Sequence, residues 1–165
     1  MIAIVTDSTA YLTHDEAARL NAVVVPMTYS VDGGLDYSEG CIEEGDEGER
    51  LVAENIDKMH TSQATLAAFL NAFTLLRRAG YEILCLPISS RLSGTYTNAL
   101  LAAREIGGSH IEVVDSLTTC GGLYLLIREA RALIERGLSL QEVAREICEM
   151  RGSVRTVFSV DDMTP

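Results

Sequence analysis

The chain has 165 residues, of which 47% are hydrophobic, enough for one ordinary domain with a buried core. Its 24 acidic and 13 basic residues give a formal net charge of -11, which argues against nucleic acid or an anionic membrane surface as a partner. Lys58 is the one lysine and no G-x-x-x-x-G-K-[ST] sequence occurs, which excludes a P-loop phosphate site.

Compartment and metal content are indicated by the N-terminus, the apolar runs and the cysteines. The opening MIAIVTDST lacks a charged leader, and the longest apolar runs, such as 123–127, are far shorter than the ~20 residues that span a bilayer. The four cysteines are scattered without a C-x-x-C pair: Cys41, Cys85, Cys120 and Cys148. We therefore expect a reduced, cytoplasmic protein with no membrane span, no structural metal and no cofactor.

The first third of the chain predicts two strands and two helices around an acidic loop. The β-branched apolar run 2–6 predicts a strand that is buried on both faces. Thr13 and Glu16 have the spacing of a capping box, which predicts that a short helix begins there. Up to residue 59 there follow a strand at 23–25, an exposed acidic loop at 32–49 and a helix at 47–59. The acidic run lacks the ligand alternation of a calcium loop, so we interpret it as solvated.

The remaining sequence alternates helices and strands. Apolar residues recur at helical spacing from Leu66 to Leu76, and Gly80 stands where a C-terminal cap is expected. Strands are predicted at 83–88, 111–114 and 154–160, and helices at 95–106, 123–136 and, after a second capping box at Ser139, up to residue 150. This alternation predicts a three-layer α/β/α fold with a mainly parallel sheet.

Hydroxyl groups follow the predicted strands and mark a candidate anion site. Segments 7–9, 89–90 and 115–116 each follow a strand, and Thr61-Ser62 is predicted to open the long helix. Ligands bind at the carboxyl ends of parallel strands, where helix N-termini favour an anion and hydroxyls add neutral donors. The segment 89–95 therefore predicts one wall of a lysine-free oxyanion cradle, completed by Thr61. The alternative is that these residues only cap helices.

Three motifs carry a resemblance to a known family. They are IVTDST at 4–9, TSQAT at 61–65 and SSRLSGTYTNA at 89–99, supported by VVDS at 113–116 and FSVDD at 158–162. With these motifs in this order, the chain resembles the DegV family of bacterial fatty-acid-binding proteins along essentially its whole length.

The resemblance implies a lipid-binding protein that is not itself an enzyme. Family members have two domains and bind one long-chain fatty acid, and some serve as the acyl-binding subunit of a fatty acid kinase. By similarity, Thr61 and Ser93 hydrogen-bond the carboxylate. Residues expected to support the site are Ser62, Ser90, Gly94, Thr95, Ser8, Asp115 and Ser116.

The sequence also departs from the family pattern. Ala64 and Thr65 replace the usual proline and serine, and Glu39 replaces an aspartate. The resemblance implies a first domain at 1–151 and a truncated start of the second domain at 152–165, without that domain's carboxylate-binding arginine and histidine. We expect this chain alone to bind fatty acid weakly or not at all, because the missing domain would supply much of the tunnel wall. An uncovered edge strand at 154–160 makes a homodimer plausible.

Alternative functions stay open at this point. One is a truncated regulatory or interaction module that keeps the fold without binding lipid. Another is an acyl hydrolase or transferase with Ser93, His60 and Asp115 as a triad, although no G-x-S-x-G elbow occurs. Cys120 is interpreted as a small buried residue rather than a reactive thiol.

Overall fold

A computed structural model describes residues 1–34, 36–42 and 54–157. The strands of the described part are β1 (Ile2–Asp7), β2 (Ala22–Val25), β3 (Met27–Val31), β4 (Asp36–Glu39), β5 (Met59–Ser62), β6 (Glu82–Leu86) and β7 (Ile111–Val113). The α-helices of seven or more residues are α1 (His14–Leu20), α2 (Leu66–Arg78), α3 (Thr95–Ile106), α4 (Cys120–Glu135) and α5 (Leu140–Met150). None of the described helices is long and apolar enough to cross a bilayer.

The main sheet has four parallel strands in the order β2-β1-β6-β7. Alternate residues of β1 and β6 face opposite sides, because successive side chains of a strand point to opposite faces. Ile4 and Leu84 belong to one core with α4 and α5, while Val5 belongs to a second core with Phe69 and Phe73 of α2. Helices thus cover both faces, which confirms the predicted three-layer α/β/α fold.

A second, antiparallel sheet in the order β4-β3-β5 differs from the sequence-based expectation. The prediction that Thr61 and Ser62 open the long helix is wrong, because both lie in β5, where Thr61 pairs with Tyr29. Helix α2 begins at Leu66. Thr65 is its N-cap, and the Thr65 hydroxyl accepts a hydrogen bond from the Ala68 amide. The predicted loop at 32–49 likewise contains β4.

Two further predicted elements differ or fall outside the described residues. Residues 154–157 form no strand, so the predicted strand at 154–160 is wrong in its described part. Most of the predicted helix at 47–59 lies outside the described residues; in its described part, 54–55 are helical and 56–58 form a short 3-10 turn. The FSVDD motif at 158–162 and the rest of the chain's end also lie outside them, so the predicted domain boundary stays a prediction.

The capping box of α1 forms as predicted and supports a stability test. The Thr13 hydroxyl accepts from the Glu16 amide at 3.2 Å, and the Glu16 carboxylate accepts from the Thr13 amide at 3.0 Å. We expect Thr13→Ala to lower the free energy of unfolding by about 1 kcal/mol in urea denaturation at pH 7, because the helix loses its N-cap acceptor. Thr13→Ser keeps that acceptor and is the control; equal losses in both variants would contradict the capping role.

Candidate functional site

The segment 89–95 forms a tight turn between β6 and α3. The amide of Ser93 donates to the Ser89 carbonyl at 3.1 Å, and the Ser89 amide donates to the Thr118 carbonyl at 2.9 Å. Ser93 is half-buried at the surface of this turn, whereas Thr95, the first residue of α3, is 0% exposed. The turn is therefore held from both sides, and Ser93 keeps part of its surface accessible.

The TSQ and SGT motifs converge, although about thirty residues separate them. The Ala64 amide donates to Thr95 Oγ1 at 3.2 Å, and Asn98 Nδ2 donates to the Ala64 carbonyl at 2.8 Å. Gln63 covers Gly94 so closely that a Cβ at Gly94 would lie 2.0 Å from Gln63 Oε1. A side chain at position 94 would require the Gln63 side chain to move, so glycine is what allows this contact.

The hydroxyls of Thr61 and Ser62 belong to the exposed strand β5. Both residues are exposed, and Ser62 pairs with Thr28 in the register of the small sheet. Thr61 lies three residues before Ala64, which is the residue tied to α3. The carboxylate contacts predicted for Thr61 and Ser93 remain a prediction, and the geometry leaves neither residue in the interior.

Asp7 is a buried carboxylate at the end of β1. It is 0% exposed and accepts hydrogen bonds from the Ile88 amide at 2.6 Å and from the Thr9 amide and hydroxyl at 3.0 and 2.6 Å. Burial raises the pKa of Asp7, and the hydrogen bonds only partly oppose this effect. Asp7 thus joins the ends of β1 and β6, where the direction of chain crossover in the sheet changes.

The Ser8 hydroxyl links this edge to the small sheet. It donates to Glu39 Oε2 at 3.3 Å and accepts from the Met27 amide at 3.2 Å. Burial raises the pKa of Glu39, and the nearby Asp7 carboxylate raises it further. Because Ser8 is buried and both of its contacts are internal, it supports the site as a structural tie.

Asp115 and Ser116 organise the loop after β7. Asp115 Oδ1 accepts from the Ser90 amide at 3.0 Å and from the Leu117 amide at 3.2 Å. The buried Ser116 hydroxyl donates to the Thr118 carbonyl at 3.1 Å. These bonds fix the loops after β6 and β7 to each other and leave the Ser90 side chain exposed.

An open cavity of about 310 Å³ lies between these two loops and the segment 154–156. Its apolar wall includes Leu92 and Leu117, which are 58% and 39% exposed. The arginines Arg91 and Arg155 also line it, and the sequence reasoning missed both. Arg91 lies inside the SSRLSGTYTNA motif, and that position could have indicated that it lies near the site.

The triad alternative finds no support in the described residues. His60 is exposed in β5, where it pairs with Ser30, and no hydrogen bond joins it to Ser93 within 1–34, 36–42 and 54–157. The Asp115 carboxylate accepts hydrogen bonds from two backbone amides, where a triad would place a histidine. The expectation that Cys120 is buried is wrong: it is exposed at the start of α4, with a φ of 50°.

The fold and the site define the class of this protein. It is a parallel α/β domain in which hydrogen bonds join the hydroxyl-rich loops at the strand ends. Residues 1–165 match the family model described as "Uncharacterised protein, DegV family". The chain therefore belongs to the DegV family.

Individual relatives agree with this assignment. A DegV domain-containing protein of Halalkalibacterium halodurans is 33% identical over 166 residues, covering 99% of this chain and 58% of the relative. The structure of a DegV family protein from Thermus thermophilus, described as showing fatty acid binding, has 31% identity and a TM-score of 0.77 and covers 92% of this chain and 53% of that one. The chain thus spans little more than half the length of these relatives.

A third relative shares the fold at lower identity. It is the Fatty Acid Kinase (Fak) B3 protein of Streptococcus pneumoniae, loaded with linoleic acid, with 23% identity and a TM-score of 0.73. The match covers 92% of this chain and 54% of that one.

Proposed function

We propose that this chain supplies the carboxylate-binding part of a long-chain fatty-acid-binding protein. The observation that carries the proposal is the junction of the TSQ and SGT motifs through the Ala64–Thr95 hydrogen bond. That junction brings the segment of Thr61 next to the turn of Ser93. The Thermus thermophilus relative, described as binding fatty acid, supports the ligand class.

The chemistry of the two segments suits a carboxylate. Serine and threonine hydroxyls donate to a carboxylate without a second charge, and hydrogen bonds to a charged group contribute about 1.5–3 kcal/mol. Helix α3, which begins at Thr95, directs its positive dipole end to the same place. This role is one of binding, and we assign no catalytic residue.

The acyl tail is proposed to extend along the apolar wall of the open cavity. Each buried methylene contributes about 0.8 kcal/mol, so the affinity of a fatty acid depends mainly on how much of the tail is enclosed. Leu92 and Leu117 cover only one side of the tail's proposed path. We therefore expect weak binding by these 165 residues, and we propose that 152–165 begin the second domain of a longer protein.

Homodimer formation stays a prediction, although residues 154–157 do not form the edge strand from which it was expected. Presentation of the bound acid to a separate kinase also stays a prediction. It rests on the family resemblance, because the Streptococcus pneumoniae relative supports only the fold at 23% identity.

The test is an NMR titration of the ¹⁵N-labelled chain with decanoate, whose weak binding this method detects. We expect saturable shifts at the amides of Ala64, Ser93 and Thr95, and a roughly 10-fold weaker affinity in Ser93→Ala, because one charge-assisted hydrogen bond is lost. Thr61→Val is expected to weaken binding similarly. Ser109→Ala, at the opposite end of the sheet, is the matched control and should bind as the unmodified chain does.

Two results would overturn the proposal. One is a set of shifts that avoids both motifs or that Ser93→Ala leaves unchanged. The other is the absence of any shift with decanoate in the millimolar range, which would favour the regulatory or interaction module that keeps the fold without lipid.

A further inference from the structure

The hydroxyls of Ser93 and Thr95 form a hydrogen-bonded pair at the start of α3. Ser93 Oγ and Thr95 Oγ1 are 2.9 Å apart, and either oxygen could donate to the other on distance alone. Ser93 Oγ also accepts from the Thr95 amide at 3.2 Å, while Thr95 Oγ1 accepts from the Ala64 amide at 3.2 Å. The direction of the shared bond decides which hydroxyl hydrogen remains for a ligand.

Burial decides that direction. Thr95 is 0% exposed, and among the described residues its hydroxyl forms hydrogen bonds only with Ser93 Oγ and the Ala64 amide. If Ser93 donated, the Thr95 hydrogen would have no acceptor and no access to water, at a cost of about 1–3 kcal/mol. If Thr95 donates, the remaining hydrogen belongs to Ser93, which is half-buried and can reach water or a ligand.

The neighbouring peptide reinforces this assignment. Asn98 Nδ2 donates to the Ala64 carbonyl at 2.8 Å, so α3 holds Ala64 through its carbonyl as well as through its amide. The Ala64 amide donates to Thr95 Oγ1 and so occupies one lone pair of that oxygen. A hydroxyl oxygen that accepts an amide retains one hydrogen to donate, and Ser93 Oγ is the acceptor within reach.

We infer that Thr95 is a positioning residue that makes Ser93 a donor directed out of the protein. Ser93 Oγ accepts from both the amide and the hydroxyl of Thr95, so its own hydrogen is available for an acceptor atom of a ligand. This inference rests on the proposed function and specifies which kind of head group the site prefers. A head group that only accepts, an ionised carboxylate, fits Ser93 better than an alcohol, whose own hydrogen would need a separate acceptor.

The binding test compares Thr95→Val, which removes the hydroxyl, with Thr95→Ser, which keeps it. Both are titrated with decanoate and with decanol, which has a tail of the same length and no charge. Thr95→Val is expected to weaken decanoate binding about 10-fold and decanol binding less than 2-fold, and Thr95→Ser to restore the decanoate affinity. Equal weakening of both ligands by Thr95→Val, or no rescue by Thr95→Ser, would mean a purely structural role and overturn the inference.

A measurement without ligand separates this inference from the proposed function. Neutron diffraction of the deuterated chain locates the deuterium between the two hydroxyl oxygens. We expect it on Thr95 Oγ1, and a deuterium on Ser93 Oγ pointing to Thr95 would overturn the inference. Should decanoate bind to none of the variants while the deuterium lies on Thr95, the proposed function fails and the hydrogen-bond direction stands.

Discussion

Asp7→Ala is expected to lower the free energy of unfolding by about 2–4 kcal/mol at pH 7, the largest effect of the substitutions considered. The Asp7 carboxylate is the acceptor for the Ile88 amide and for two donors of Thr9. Alanine leaves the buried Ile88 amide without that acceptor, and one unsatisfied buried donor costs about 1–3 kcal/mol before the lost packing is counted. Urea denaturation followed by circular dichroism measures the loss.

Asp7→Asn removes the titrating charge of this residue but keeps only one of its two acceptor oxygens, because the side-chain amide nitrogen of asparagine is a donor. Burial raises the folded-state pKa of Asp7 above its usual value of 3.8. The raised pKa therefore adds a proton-linked part to the stability, beyond the hydrogen bonds, which is fully present below pH 3.8 and is lost as the pH rises through the folded pKa. Asparagine does not titrate, so we expect the free energy of unfolding to fall less steeply between pH 4 and pH 7 in Asp7→Asn than in the unmodified chain.

The control for both Asp7 variants is Asp115→Asn. Asp115 also accepts two backbone amides at a strand end, but it is only half-buried, so water can replace the lost bonds. We expect a smaller loss of stability than in Asp7→Asn. Equal losses at positions 7 and 115, or the same pH slope in Asp7→Asn as in the unmodified chain, would contradict the role assigned to burial.

Gly122→Ala is expected to destabilise the chain by about 1–2 kcal/mol. A Cβ at Gly122 would lie 2.2 Å from Thr118 Oγ1, 2.8 Å from Thr156 Oγ1 and 3.1 Å from Val154 Cγ1. Overpacking of this kind costs about 1–3 kcal/mol, and the better helix propensity of alanine returns about 1 kcal/mol at most. Because Val154 and Thr156 line the open cavity, we also expect the amide resonances of 154–156 to shift.

The neighbouring glycine of α4 provides the matched control. A Cβ at Gly121 would meet nothing within 4 Å, and Gly121 is exposed. We expect Gly121→Ala to leave the stability unchanged or to raise it by up to about 1 kcal/mol. A gain of stability in Gly122→Ala similar to that in Gly121→Ala would show that the segment 154–156 does not pack on α4.

The parallel sheet could be predicted from the sequence because its strands are buried on both faces. Continuous apolar runs such as those of β1 and β6 have few other interpretations, and capping boxes at Thr13 and Ser139 mark helix starts by local hydrogen bonds. The small sheet was missed because β3 is half-buried throughout and β5 is mostly exposed. Strands of this kind carry too weak an apolar period to distinguish them from loops.

The candidate site was predicted in part for a similar reason. The motifs identify Thr61 and Ser93, and the structure joins their segments at Ala64. The sequence could not show which hydroxyls form hydrogen bonds inside the protein, because that depends on burial. Ser8 and Ser116 have internal partners, whereas Ser93 keeps an accessible side.

The two hydroxyls of the proposed cradle stand on different sheets, Thr61 on the small antiparallel sheet and Ser93 at the end of the parallel one. The distance between them is therefore set by neither sheet alone, but also by the hydrogen bonds that Ala64 forms with Thr95 and Asn98. Ser8 holds the small sheet at a second point, through Met27 and Glu39, and Met27 packs on the core of α2, so the spacing of the two hydroxyls is coupled to the packing of that core.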